Sequence, residues 1–559
     1  MNRRNFIRTT GASLGAMLIG NKLMALGTGE NGFQLKLPDQ LVATVNEQKV
    51  KLMKSQENIW LYNNLTVIMG QKNGYTEVVI HAPKEIVCDV TLSWEIAIPE
   101  SSRVLNDHWE RTYGDVSWHK PNTSEILPWY FMEITEKNAV NGFGVKTGAG
   151  SFCHWEISET TLSLVLDTRS GGNGVQSGSR VINAAQIVAY KTEGTSPFQA
   201  LREFLKLMCN NARMPAKPVY GINDWYFSYG NNSEKLILEH TQMMAPMAEG
   251  LENRPFSVID AGWFQNPPNS PNDCCFGDNM NTPDANFGNM DNLAQKIRKI
   301  GMRPGIWTRP LCASHKDPVS LLLPAIKGRN PEKQPILDPT IPEVLERVKS
   351  YFKLYNDWSY EMVKVDFTTF DIFGKWGFEM LTDRKLTEYG WRMNYNTKTN
   401  AEIVLELYKA IRESAGKTYI IGCNTFSHLS AGLFELNRIG DDTSGNEWER
   451  TRKMGVNTLA FRSAHQGTFY AADGDCVGLT PKVPWEKNKQ WMELVAKSGT
   501  PLFISAQPEA TGPEQKAFIK ECFALASKEL PVGEPLDWME NAFPPKWKLN
   551  GEIVNFNWE

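Results

Sequence analysis

The stretch MVKVDF, Met362–Phe367, decides how the fold is read. Neighbouring residues of a strand point to opposite faces, so Lys364 and Asp366 share one face and Val363 and Val365 the other. An apolar strand that ends in a carboxylate where it opens into a loop fits the rim of a (β/α) barrel, where strand ends from distant parts of the chain meet on one pocket. NRIGDDT, Asn437–Thr443, has the same form. Two such carboxylates can divide one hydrolytic reaction between them, one as nucleophile and one as acid/base. The plainer reading of Lys364 and Asp366 is a structural ion pair.

Working outward, the chain after Pro218 alternates between strand and helix patterns. Candidate strands are Tyr220–Tyr229, Phe256–Ala261, Arg303–Thr308, Met362–Phe367, Tyr419–Asn424, Glu435–Ile439, Thr468–Ala472 and Pro501–Ser505. Helical patterns fall at Asn292–Ile300, Ile341–Tyr355, Ala401–Ser414, Lys487–Lys497 and Glu514–Ser527. This alternation defines an α/β class chain and matches the strand count of a (β/α)8 TIM barrel. A doubly wound sheet would place a glycine-rich phosphate loop after its first strand, and none is there. From Asn31 to Pro197 short period-two apolar runs broken by Gly, Asn and Pro, such as DVTLSWEIAI and LSLVLDT, indicate a β-sandwich. The expected organisation is therefore a β-sandwich over 31–197, a helix with a serine cap at Ser196 and a linker over 198–218, the barrel over 219–530, and a short β segment over 531–559. Little or no C-terminal β-domain is expected.

Residues 1–27 stand apart. MNRRNFIR carries a twin arginine, GASLGAMLIG is apolar but too short to span a bilayer, and Ala25–Gly27 offers a small-residue cleavage point. This is the pattern of a twin-arginine export signal, which places the mature protein in the periplasm or outside the cell without a membrane anchor. A net charge of −4 gives no reason to expect nucleic acid or an anionic membrane as partner. The 18 tryptophans offer flat faces on which sugars stack, although indole more often fills cores. Nine scattered cysteines, with neither CxxC nor HxxxH spacing, point to free thiols and to no zinc site. Neither a metal nor another cofactor is called for.

SVIDAGW (Ser257–Trp263), RPGIW (Arg303–Trp307), MVKVDF, IIGCN (Ile420–Asn424), RIGDDT (Arg438–Thr443) and AADGDC (Ala471–Cys476) occur in the order found in melibiase-type alpha-galactosidases. The barrel resembles these clan D glycoside hydrolases, family 36 more than family 27. The resemblance implies a retaining alpha-galactosidase acting on an oligosaccharide or polysaccharide, and it allows an oligomer. It implies Asp366 as nucleophile and Asp442 as acid/base, with Asp441 the alternative. Arg438 would contact the sugar or hold the acid/base. Asp260 and Lys364 would bind hydroxyls, Trp225 and Trp307 would form apolar walls, and Cys423 and Asn424 would fall on the family's substrate-contacting position. Asp473 and Asp475 would shape the rim.

One departure bears on specificity: the second aspartate of the family's DDGW is Ala261 here. A buried partner left unpaired costs about 1–3 kcal/mol, so another α-linked sugar or a transglycosylase remains an alternative, as does a sugar-binding protein without turnover. An acid/base aspartate is expected to have a raised pKa, and retention places the two carboxyl groups about 5–5.5 Å apart. A barrel lyase or racemase with Mg²⁺ on Asp366, Asp442, Asp473 and Asp475 is the reading from another class, and Lys364 would crowd its cation.

Overall fold

The computed structural model describes residues 33–265 and 279–559; the expected export signal and Cys274–Cys275 lie outside them. The chain divides into two compact units. One comprises the residues up to Asp107, Lys120–Thr195 and Asn396–Glu402, and the other His108–His119, Ser196–Tyr395 and Ile403–Glu559.

The first unit is a sandwich of antiparallel sheets. One runs, in spatial order, Gln48–Lys51, Gln40–Val45, Val87–Trp94, Leu162–Asp167, Phe152–Ile157, Leu127–Pro128. The other runs Met53–Gln56, Ile59–Tyr62, Leu65–Lys72, Tyr75–His81, Ile182–Thr192, Val140–Val145, Tyr130–Ile134, Arg103–Asn106. Alternation along each strand sends every second side chain inward. In the core that results, Trp155 of the first sheet lies 6.0 Å from both Phe131 and Phe143 of the second.

The second unit is a parallel barrel. Its strands are β1 (Tyr220–Asn223), β2 (Phe256–Ile259), β3 (Arg303–Thr308), β4 (Met362–Val365), β5 (Tyr419–Gly422), β6 (Leu436–Arg438), β7 (Ala471–Asp473), β8 (Cys476–Leu479) and β9 (Leu502–Ala506). They are ordered β7-β6-β5-β4-β3-β2-β1-β9-β8. Gly474 and Asp475 separate β7 from β8, so the barrel has eight staves and the seventh is broken: its first half pairs with β6, its second with β9. Strands one step short of the rim turn apolar residues inward, among them Val258, Met362, Ile421, Leu436 and Phe503, which form one buried cluster. Two residues further along the same strands the inward positions are polar: Asp260, Lys364, Cys423 and Arg438. The period of two thus stacks a polar layer on an apolar one at the end of the barrel where the strands open into loops.

Helices cover the outside where their patterns predicted them: Met290–Ile300, Pro342–Asp357, Asn400–Ser414, Trp485–Lys497 and Pro513–Ala526. Pro197–Met208 starts at Ser196, whose hydroxyl accepts from Gln199 N at 3.3 Å. The first strand is shorter than its apolar run. It ends at Asn223, and Trp225–Ser228 winds into a helical turn closed by Tyr229 in the left-handed region. Glu234–Met244 is a further helix, docked on β2 through a 2.8 Å hydrogen bond between the Thr241 and Ser257 hydroxyls. The hairpin Lys546–Leu549 and Glu552–Asn555 joins Glu534–Pro535 in a small sheet. Cys88, Cys153, Cys209, Cys312, Cys423, Cys476 and Cys522 carry free thiols. Among the described residues no helix is long and apolar enough to cross a membrane.

Candidate active site

Asp366 follows the last residue of β4, its N–H bonded to Thr308 O at 3.0 Å. Phe367 turns the chain off the strand with φ of +63°, a conformation uncommon outside glycine and often found at functional sites. The turn lets Phe367 N–H donate to Asp366 Oδ1 at 2.8 Å, while the Trp307 indole donates to Oδ2 at 3.1 Å. Both oxygens are therefore oriented by donors.

Lys364, two residues earlier, bonds Asp260 Oδ2 at 2.8 Å. Burial pulls its ammonium down, but the Asp260 carboxylate outweighs this and holds it well above the ordinary lysine range. Asp260 also accepts from Asn223 Nδ2 at 2.6 Å and from Ala261 N at 2.9 Å. Beneath it, Asp224 accepts from Asp260 N at 2.7 Å; burial, then the charge of Asp260, pushes its carboxyl up to about 6.

Arg438 ends β6, fully buried. Its guanidinium meets Asp475 Oδ2 at 3.0 Å and Asp442 Oδ1 at 3.1 Å, and donates to Gly440 O and Cys423 Sγ. Asp475, in the break of the seventh stave, accepts also from Thr443 N (2.8 Å), the Thr443 hydroxyl and the Tyr226 hydroxyl. It thereby pins the loop that carries Asp442. Asp473 is pushed up to about 6 by burial, against the pull of Arg438.

Asp441 and Asp442, adjacent in sequence, have different surroundings. Asp441 is clamped between Arg111 (2.7 Å) and Arg450 (2.8 Å) and its side chain is 15% exposed. Asp442 is 37% exposed and lines the pocket. Burial raises its carboxyl, but the guanidinium groups of Arg438 and Arg111, with Lys364 and Arg450, outweigh this and hold it down at about 2. The expectation of a raised pKa is thus reversed, because the loop lies among cations.

These groups meet in a small cavity of about 80 Å³. Asp366, Asp442, Asp260, Lys364, Trp225 and Trp307 line it, six of the nine residues singled out from sequence. Arg438 and Cys423 stand behind the wall. Asn424 is fully buried and turned away: its amide donates to Glu110 Oε2 and its oxygen accepts from Phe370 N. Ala261 is part of the wall where the resemblance implies a carboxylate. Larger cavities, about 340 and 550 Å³, gather no such set of strand-end groups.

Arg111 and Trp376 also line the cavity and were missed from sequence. Trp376 lies in the β4 loop and stacks on Phe370 at 4.6 Å. Arg111 lies in DHWERTYGD, inside the stretch read as sandwich. Its signal was a cluster of charged and aromatic residues without period-two alternation. Among the described residues no group of three or more His, Cys, Asp or Glu is arranged to hold a metal, and Lys364 and Arg438 pair with the rim carboxylates Asp260 and Asp475.

A barrel of this kind following a β-sandwich is the fold of the glycoside hydrolase family 36 alpha-galactosidases. The chain is similar to the Thermus thermophilus alpha-galactosidase TtGalA, solved in complex with p-nitrophenyl alpha-D-galactopyranoside, at 16% identity over 92% of this chain and 99% of that one, TM-score 0.59. It is similar also to a variant of the family 36 alpha-galactosidase AgaA from Geobacillus stearothermophilus in complex with raffinose (12%, 93% and 80%, TM-score 0.61). A third is the alpha-galactosidase from Lactobacillus brevis (14%, 90% and 74%, TM-score 0.57). No protein-family model and no curated protein sequence matches the chain.

Proposed function

We propose that the chain is a retaining glycoside hydrolase that removes terminal α-linked sugars, α-galactosides first among them. The observation that carries this reading is the meeting of Asp366, from the end of β4, and Asp442, from the end of β6, in one pocket beside the Lys364–Asp260 pair. The likeness in fold to alpha-galactosidases bound to an aryl α-galactoside and to raffinose supports the sugar class. Asp366 attacks C1 while Asp442, protonated, donates to the leaving oxygen. The covalent glycosyl-enzyme is then opened by water, with Asp442 as base.

The test is a panel of aryl α-glycosides (galactoside, N-acetylgalactosaminide, glucoside, arabinoside), with NMR of the first-formed anomer. Turnover of one α-glycoside to the α-anomer is expected. A β-anomer as first product would require a second carboxylate acting through water and would end the retaining reading. Ala261 favours a second reading, an α-linked sugar other than galactose, which the same panel separates.

We also place the mature protein outside the cytoplasm, on the twin-arginine pattern at the start of the chain. N-terminal sequencing of protein from the periplasm or medium is expected to begin just after Gly27; a start at Met1 would argue against export.

A further inference from the structure

Residues His108–His119 form an arm that belongs to the barrel unit although its neighbours in sequence are sandwich strands. Three consecutive residues of the arm each grip a different part of the rim. Thr112 pairs with Gly440 as a one-residue parallel strand: its N–H donates to Ile439 O and Asp441 N–H donates to its carbonyl, both at 2.9 Å. Gly440 has no room for a side chain, since a Cβ there would lie 2.4 Å from Met454 O. Glu110, fully buried, accepts from Gly377 N at 2.8 Å and from the Asn424 amide, so it holds the neighbours of Trp376 and Cys423. A Cβ on Gly377 would lie 2.5 Å from Glu110 Cγ, so the loop approaches the arm as only glycine allows. Between these anchors Arg111 points at the pocket. It contacts Asp441 at 2.7 Å, Asp442 at 3.6 Å and Cys423 Sγ at 3.6 Å, with its guanidinium 5.6 Å from the Trp376 ring.

Resting on the acid/base role given to Asp442 above, we propose that Arg111 is a positioning residue of that acid/base. It clamps Asp441 away from the pocket, leaves Asp442 facing it, and sets the pH range over which Asp442 carries its proton. The other main cations acting on Asp442 belong to the barrel itself, Arg438 on β6, Lys364 on β4 and Arg450 on the helix that follows, with Asp475 and the hydroxyls of Tyr226 and Tyr229 facing the same loop. Arg111 is delivered by the arm.

The sign follows from charge. A carboxylate beside a cation keeps its proton only at lower pH, and a general acid works only while protonated. Removing Arg111 therefore moves the basic limb of the kcat profile, which reports the substrate-bound enzyme, upward.

The experiment measures kcat against pH on the α-glycoside that the wild type turns over, with an activated aryl and an unactivated sugar leaving group. Arg111→Gln is expected to shift the basic limb up by about one pH unit or more. Arg111→Lys should hold it near the wild-type position. Arg111→Gln should also change the ratio of rates on the two leaving groups, because only the poor one depends on proton donation. The double variant Arg111→Gln/Asp441→Asn removes the cation together with its carboxylate partner; it should show a smaller shift in the same direction if the single variant does not fold, because the lost Asp441 charge had favoured the protonated acid. An active wild type with an unmoved limb in both Gln variants overturns the proposal alone. A wild type silent on every glycoside overturns the hydrolase reading and the proposal with it.

Discussion

Asp366→Ala is expected to lower kcat on an aryl α-glycoside on the order of 10⁴-fold or more, the scale seen when a covalent nucleophile is removed. The fold should survive, because Asp366 is only partly buried and its two donors, Trp307 Nε1 and Phe367 N–H, reach the open pocket. Azide separates the two carboxylates. In Asp366→Ala it enters from the face the carboxylate has vacated, so the glycosyl azide has inverted configuration. In Asp442→Ala an activated aryl group leaves without proton donation, and the glycosyl-enzyme accumulates. Azide, which needs no base, then opens it from the other face, giving a product of retained configuration. Both products following this pattern would fix the roles. The reverse pattern would exchange them, and an Asp366→Ala enzyme as fast as wild type would remove Asp366 from the chemistry.

The second large effect is on stability. Arg309 and Asp371 form an ion pair behind the nucleophile strand, 0% and 1% exposed, with Arg309 Nη2 2.6 Å from Asp371 Oδ1 and Nε donating to both oxygens. The same guanidinium lies 4.2 Å from the Phe367 ring, so it also backs the left-handed turn that presents Asp366. Arg309→Met strands a buried carboxylate whose burial already pushes it up against the pull of Arg309. The expected loss is about 3–5 kcal/mol, read as a lower urea midpoint of the barrel unit. Arg309→Met/Asp371→Leu should recover most of it, since replacing both charges by apolar groups is often neutral or better. A single variant within about 1 kcal/mol of wild type would mean that water or a neighbour takes over the stranded charge.

The barrel was legible because its inward positions follow one rule along several strands: apolar, then polar two residues on. Val258 and Asp260, Met362 and Lys364, Leu436 and Arg438 each show it, so the strand ends announced themselves and the structure brings Asp260, Lys364, Asp366 and Asp442 together. Apolar runs that are not strands misled the reading. INDWYFSY looks continuous, but Tyr226 is buried from a helical turn rather than from a strand. The seventh stave was placed at Thr468–Ala472, whereas Gly474 and Asp475 interrupt it, and Asp475 in the left-handed region turns its carboxylate onto Arg438 and the acid/base loop. Arg111 carried only a faint signal, a break in period-two alternation, and nothing in its neighbourhood named its partners. Its partners Cys423, Asp441 and Asp442 lie more than 300 residues away, and pattern windows see only neighbours.

The arm has a consequence for how the chain is made. Glu110 leaves the ribosome 352 residues before Arg462, which donates to its carbonyl, and Arg111 leaves 312 residues before Cys423. At ordinary rates of synthesis Glu110 waits about 20–70 s for that partner. During that time the sandwich can complete its own sheets, while the barrel rim that the arm grips is still to be made. A polypeptide beginning at Ser196 would inherit every strand of the barrel and still be born without Arg111, one of the two guanidinium groups that contact Asp442.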